Sequence, residues 1–168
     1  ALGSQTIQVP ADTFMTDYAD AEIIAMTIDS LKSAGLRDFQ VDIGQVEFFN
    51  GLVEEAGLST ETEEQLRELI EEKNFFGVEE LVSEQKLPKA LSDLFLKLPD
   101  LFGPVEVIET ARSMTNNPRC LAAIRRLENL YRILGYYGLS DYVSFDLGML
   151  GKYKYYTGII FRGVTFGM

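Results

Sequence analysis

Two stretches of strict two-residue alternation, separated by a long helical pattern, constrain this chain more than any other feature. In Asp38-Phe39-Gln40-Val41-Asp42-Ile43, the apolar Phe39, Val41 and Ile43 fall on one side, and Gln40 and Asp42 on the other. That is the period of a half-buried strand. The alternation returns at Val143, Phe145 and Leu147, with Ser144 and Asp146 between them. An apolar run over residues 155–166 then reads as a central strand, apolar on both faces. Residues 45–137 between these strands carry helical spacing for most of their length. A block of about ninety residues is too long for a loop joining two strands of one sheet. It reads as an inserted helical subdomain with a small core of its own, built from Val46, Phe49, Leu66, Leu69, Leu91, Leu94, Ile124 and Leu127. The fold class is therefore α+β.

Local signals divide the pattern further. Residues 17–35 form an amphipathic helix through Ala21, Ile24, Ile28 and Leu31, with Asp17 as its N-cap and Gly35 at its C-terminal cap. Val46, Phe49 and Val53 stripe a second helix, which Gly57 ends. Thr60 and Glu63 fit a capping box for a third, with Leu66, Leu69 and Ile70 on its buried face. Residues 75–84 make a short helix, and Pro88 and Pro99 bracket another. Residues 104–114 fit either a strand or a short helix. After Asn116-Asn117-Pro118 comes a long helix lined by Ile124, Leu127, Tyr131 and Leu134, with Arg125, Arg126 and Arg132 off that stripe. Residues 1–16 remain unassigned.

Charge and residue types exclude several functions. The net charge is −11, which repels nucleic acid over most of the surface. Lys152, Lys154 and Arg162 form at most a small basic patch. No apolar run reaches the length of about 18 residues that a membrane helix needs, and the first residues do not read as a signal peptide. Histidine is absent, which removes the commonest general base and metal ligand. The single cysteine, Cys120, cannot form a disulfide within the chain and sits in an apolar helical pattern, as packing rather than as a nucleophile. Glu61, Glu63, Glu64, Glu68, Glu71 and Glu72 crowd one helix, either as a solvated face or as a partner surface. Asp42 and Asp146 are placed to be neighbours on adjacent strands, with no role assigned.

The most specific motif closes the chain. An alternating strand, Val143-Ser144-Phe145-Asp146-Leu147, enters the loop Gly148-Met149-Leu150-Gly151-Lys152-Tyr153-Lys154 and leaves through Tyr155-Tyr156-Thr157-Gly158-Ile159-Ile160-Phe161-Arg162-Gly163. This resembles the histidine-recognition segment of histidyl-tRNA synthetases, in which an Arg-Gly-Leu-Asp-Tyr-Tyr run precedes a Thr-Gly-aliphatic-aliphatic-Phe strand. The tyrosines and the strand match. The arginine and aspartate do not: Gly151 and Lys154 stand in their places. In that form the segment is similar to a non-catalytic relative, the family of ATP phosphoribosyltransferase regulatory subunits. The resemblance covers residues 18–168.

The resemblance implies part of a class II aminoacyl-tRNA synthetase-like antiparallel sheet with a helical insertion. Residues 17–44 and 139–168 would be core, and residues 45–138 the insertion. It implies a cytoplasmic protein that performs no catalysis itself, needs no cofactor or metal, and joins the short-form catalytic subunit of ATP phosphoribosyltransferase in a hetero-oligomer. Such a protein supports the first step of histidine biosynthesis and its feedback control by histidine. Tyr155, Tyr156, Lys152 and Lys154 are the candidate residues for a histidine-like pocket. The tyrosines point to opposite faces if they start a strand, so one lines a given pocket and the other packs; both also fit as ordinary strand aromatics. The Gly148–Lys154 loop fits anion binding through backbone N–H groups or a plain hairpin connection. The family's flanking segments are not in the chain, which reads as a central fragment. Two other readings stand beside this one: a histidyl-tRNA synthetase fragment, and an acidic helical interaction module.

Overall fold

A computed structural model describes residues 15–151 and 158–166. The chain opens with helix α1 (Met15–Ser33), strand β1 (Phe39–Gln45) and helix α2 (Val46–Ala56). Four helices follow: α3 (Thr60–Glu71), α4 (Phe75–Glu84), α5 (Lys89–Lys97) and, after the two-residue strand β2 (Phe102–Gly103), α6 (Glu106–Ser113). The long α7 (Pro118–Tyr136) then leads to strands β3 (Val143–Asp146) and β4 (Ile159–Thr165). The strands lie in the order β2-β3-β1-β4.

The α+β architecture with a helical block between strands is as the sequence implies. The sheet is mixed, however. β1 pairs with β4 antiparallel, from Phe39 opposite Thr165 to Gln45 opposite Ile159. It pairs with β3 in parallel, Val41 beside Val143 and Ile43 beside Phe145. A parallel neighbour cannot be reached by a hairpin, so the connection must cross over the sheet. Helices α2–α7 are that crossover. The choice left open over residues 104–114 resolves into helix α6, with the short strand β2 just before it.

The helices begin and end for local reasons. Gln45 caps α2, its Oε1 accepting from the Glu47 amide at 3.1 Å. Gly57 ends that helix at φ +64°, a left-handed turn that glycine adopts without strain. The cap of α3 is Ser59, one residue before the expected Thr60: its Oγ accepts from the Thr62 amide at 3.2 Å. Asn117 caps α7, accepting from the amides of Arg119 and Cys120 at 2.9 and 3.2 Å. Asp17 is not an N-cap. α1 starts at Met15, and the Asp17 carboxylate, fully buried, turns inward to Arg126.

One contiguous buried cluster joins the sheet and the helical block. The block's apolar residues are buried much as expected, but they do not form a separate core. α7 is the reason. Its Leu127, Leu130 and Leu134 are fully buried, and it packs against α1, α2 and β1 alike. Where α2 meets α7, a Cβ on Gly51 would come within 2.9 Å of Cys120 Sγ, so only glycine permits that approach. Tyr131 of α7 meets Phe145 of β3 edge-on, with ring centres 5.9 Å apart.

The expectation of a central last strand is overturned. Among the described residues β4 pairs with β1 alone and lies at one side of the sheet, and its residues run from half-buried to exposed. Apolar composition on both faces signals a strand without saying how many neighbours it has.

Candidate functional site

Tyr155, Tyr156, Lys152 and Lys154 lie outside the described residues. What is described is the chain on either side of them, up to Gly151 and from Gly158 on. At the first end, the Leu150 amide donates to Glu71 Oε2 of α3 at 2.5 Å, and Arg67 Nη1 reaches the Leu150 carbonyl at 3.5 Å. Gly151 follows at φ +76°. Arg67 is almost wholly buried, pairs with Glu63 at 3.2 Å and lies over the Phe49 ring. At the other end, the Gly158 carbonyl accepts from the Val46 amide at 3.0 Å, at the start of α2. The Gly158 backbone, at φ +88°, sits against Arg126: a Cβ there would be 2.7 Å from Nη1.

Arg126 is held from below. Its Nε donates to Asp17 at 2.9 Å and its Nη2 to Asp20 at 3.0 Å. Asn129 adds a contact to Asp17 at 3.4 Å. Burial, together with the neighbouring Asp17, pushes the Asp20 carboxyl up despite the guanidinium beside it. Helices α3 and α7 thus each present an arginine, Arg67 at Leu150 and Arg126 at Gly158. Neither was singled out from the sequence. Arg126 showed only as a residue off the apolar stripe of α7, and its carboxylate partners lie on a helix more than a hundred positions earlier in the chain.

The open face of the sheet carries a second group. Asp42 and Asp146 are neighbours, as their spacing suggested: Asp42 stands beside Ser144 across the parallel pair, two residues before Asp146. Ser144 Oγ donates to Asp42 at 2.5 Å. Arg162, opposite Asp42 on β4, lies 3.5 Å from it and 4.0 Å from Asp146. Arg162 is thereby committed to these carboxylates. Lys73, from the turn between α3 and α4, donates to both Asp146 oxygens at 3.2 and 3.3 Å and to the Pro99 carbonyl at 3.1 Å. The Gly148 amide supplies one more donor to Asp146 at 2.9 Å. These groups line a cavity of about 530 Å³, flanked by Phe102 and Phe166.

Carboxylates and cations in this cavity satisfy one another. Lys73 and the Gly148 amide bond Asp146, Ser144 bonds Asp42, and the Arg162 guanidinium lies near both carboxylates. The arrangement fastens the helical block to the sheet, and the Ser144 hydroxyl is held by Asp42. Cys120 is also inert: it is fully buried, its Sγ donates to the Phe48 carbonyl, and burial pushes the thiol up to about 12. No described helix is long and apolar enough to cross a membrane.

A mixed sheet packed against a long helix, with a helical crossover between its parallel strands, frames these groups. The family pattern described as histidyl-tRNA synthetase matches residues 12–168, and the chain belongs to that family. Within it, the chain is 50% identical over 153 residues to the ATP phosphoribosyltransferase regulatory subunit of Acetivibrio thermocellus, covering 91% of this chain and 37% of that protein. It is 49% identical over 150 residues to the regulatory subunit of Ruminiclostridium cellulolyticum, covering 89% of this chain and 36% of that protein. The chain thus spans little more than a third of these relatives. A solved structure from Bacillus halodurans, described as an ATP phosphoribosyltransferase regulatory subunit/histidyl-tRNA synthetase, superposes with a TM-score of 0.82 at 35% identity, over 91% of this chain and 40% of that one. A histidyl-tRNA synthetase from Nostoc shares the fold at a TM-score of 0.75 and 14% identity, over 91% of this chain and 38% of that one.

Proposed function

We propose that the full-length protein containing this chain is the regulatory, non-catalytic subunit of an ATP phosphoribosyltransferase. It works in the cytoplasm beside the short-form catalytic subunit, supports the first step of histidine biosynthesis, and passes on feedback inhibition by histidine. The observation that carries this reading is identity at about half of all aligned positions to proteins named as such subunits. The histidine-recognition motif supports it from another side. Gly151 and Lys154 stand where the synthetase pattern has arginine and aspartate. Adenylate formation needs fixed donors aimed at developing charge, and loss of one costs about 3–4 kcal/mol of transition-state stabilisation. A lysine cannot reproduce the planar fork of an arginine.

In this reading Tyr155 or Tyr156 offers a ring face and a hydroxyl to a histidine-like ligand, and Lys152 and Lys154 face its carboxylate. Residues 17–44 and 139–168 belong to the synthetase-like core, and residues 45–138 to the insertion. The test uses the full-length protein. It is expected to co-purify with a short-form catalytic subunit, to raise that subunit's activity, to make the activity histidine-sensitive, and to show no histidine-dependent pyrophosphate exchange with ATP. Robust exchange overturns the reading in favour of a synthetase.

A further inference from the structure

Helices α3 and α4 form a hairpin whose outer side is a groove of about 570 Å³. Its floor is the half-buried pair Leu69 and Leu81. Gly77 holds the two helices close: a Cβ there would be 2.6 Å from Leu69 Cδ2. The rim carries four glutamates, Glu68 and Glu72 on the α3 side, Glu80 and Glu84 on the α4 side. Each pair is spaced i, i+4, so like charges stack along both edges, an arrangement that weakens a helix. None of the four has an ion-pair partner among the described residues; the nearby Lys73 is engaged with Asp146 and Pro99. At the mouth stands Phe76, 77% exposed, with Phe75 beside it at 50%. An aromatic ring left in water between two rows of unpaired carboxylates matches the anatomy of an interface, an apolar anchor inside a polar rim.

We propose that this groove is a docking surface for a partner protein, and that the occupant is a basic helix or segment of the catalytic subunit, its Lys and Arg side chains meeting the two glutamate rows while an apolar residue packs on Phe76. Charge complementarity selects the occupant, since four uncompensated carboxylates on an already acidic chain favour a cationic surface and repel an anionic one. The proposal rests on the regulatory-subunit reading and adds where the partner sits.

The experiment titrates the full-length protein against a short-form catalytic subunit by calorimetry at two salt concentrations. Glu68→Lys/Glu80→Lys and Phe76→Ser are compared with Glu106→Lys, an exposed glutamate on α6 away from the groove. The four altered side chains are on the surface, and circular dichroism checks that each variant keeps its helices. Both groove variants are expected to bind about tenfold more weakly or worse, the control to bind as the unaltered protein does, and the unaltered complex to weaken as salt is raised. Groove variants that bind within about twofold of the unaltered protein, or a complex indifferent to salt, overturn the docking site while leaving the regulatory reading intact. If the unaltered protein does not bind at all, both fall.

Discussion

Among the described residues, Lys73 and Lys86 adopt the left-handed backbone conformation, and of the two Lys73 has compensation for it. Lys73, at φ +56°, spends its ammonium on Asp146 and the Pro99 carbonyl; Lys86, at φ +52°, is exposed at the end of α4. A left-handed residue with a Cβ costs about 1–2 kcal/mol. Lys86→Gly is therefore expected to stabilise the fold by about 0.5–1 kcal/mol, after the added freedom of the unfolded chain is subtracted. Lys73→Gly relieves the same strain but removes the ammonium from the buried Asp146 carboxylate, leaving it the Gly148 amide and the more distant Arg162, so a net loss of about 1–3 kcal/mol is expected. Urea unfolding of both variants checks the contrast. Glu47 supplies the pH dependence. Burial alone would raise its carboxyl, but hydrogen bonds from Arg119 and Asn50 outweigh burial and hold it below its ordinary value of 4.5. The folded state thus favours the charged form. Its contribution is full above the ordinary value and is lost as pH falls through the lowered one. The stability gap between the unaltered protein and Glu47→Gln should narrow as pH drops from about 5 to about 3, read from unfolding curves at each pH. A constant gap would mean that the charge on Glu47 does not matter.

At the scale of elements, α7 decides most. Leu127 is fully buried where this helix joins the sheet to the helical block. Leu127→Ala is expected to cost about 2–5 kcal/mol, measured by denaturant unfolding; a neutral result would contradict its central position. α7 was also the most legible helix, because Asn117 and Pro118 mark its start and the apolar stripe its face. α5 was readable from its bracketing prolines, Pro88 and Pro99. The cap of α3 slipped by one residue because Ser59 and Thr60 are both acceptable caps, and only the backbone turn distinguishes them. Asp17 misled for a deeper reason. A carboxylate near a helix start reads as a cap, yet here its partner Arg126 lies on α7, and no local pattern announces a contact across that separation. That Asp42 and Asp146 each lie on the polar side of a strand was readable from strand period. The lysine and arginine that neutralise the pair were not, because Lys73 sits in a turn without periodicity. The parallel direction of β3 was equally hidden, since alternation fixes a strand's faces and says nothing of its neighbours.

The whole molecule carries −11, and its cations are largely engaged. Arg67, Arg119, Arg126 and Arg162 all have carboxylate partners. A polyanion finds no uncommitted basic stripe among the described residues. A gel-shift with tRNA at low salt, where attraction is greatest, is expected to show no complex. Tight, salt-sensitive binding would bring the synthetase reading back. The mixed sheet has a further consequence, for the order in which the molecule assembles. Asp42 and Ser144, side by side in the finished sheet, are 102 positions apart in the chain, and the other neighbour of β1 arrives later still. While the polypeptide is being synthesised, β1 emerges with both edges bare and must wait for the entire helical block before either partner exists. Local helical contacts form fast, whereas pairing between distant strands is slow. Early helices are therefore expected to cover an apolar strand prone to pairing with other chains. Pulsed hydrogen exchange during refolding should find the amides of α7 protected before those of β1, and simultaneous protection would mean that sheet and helices condense in a single step.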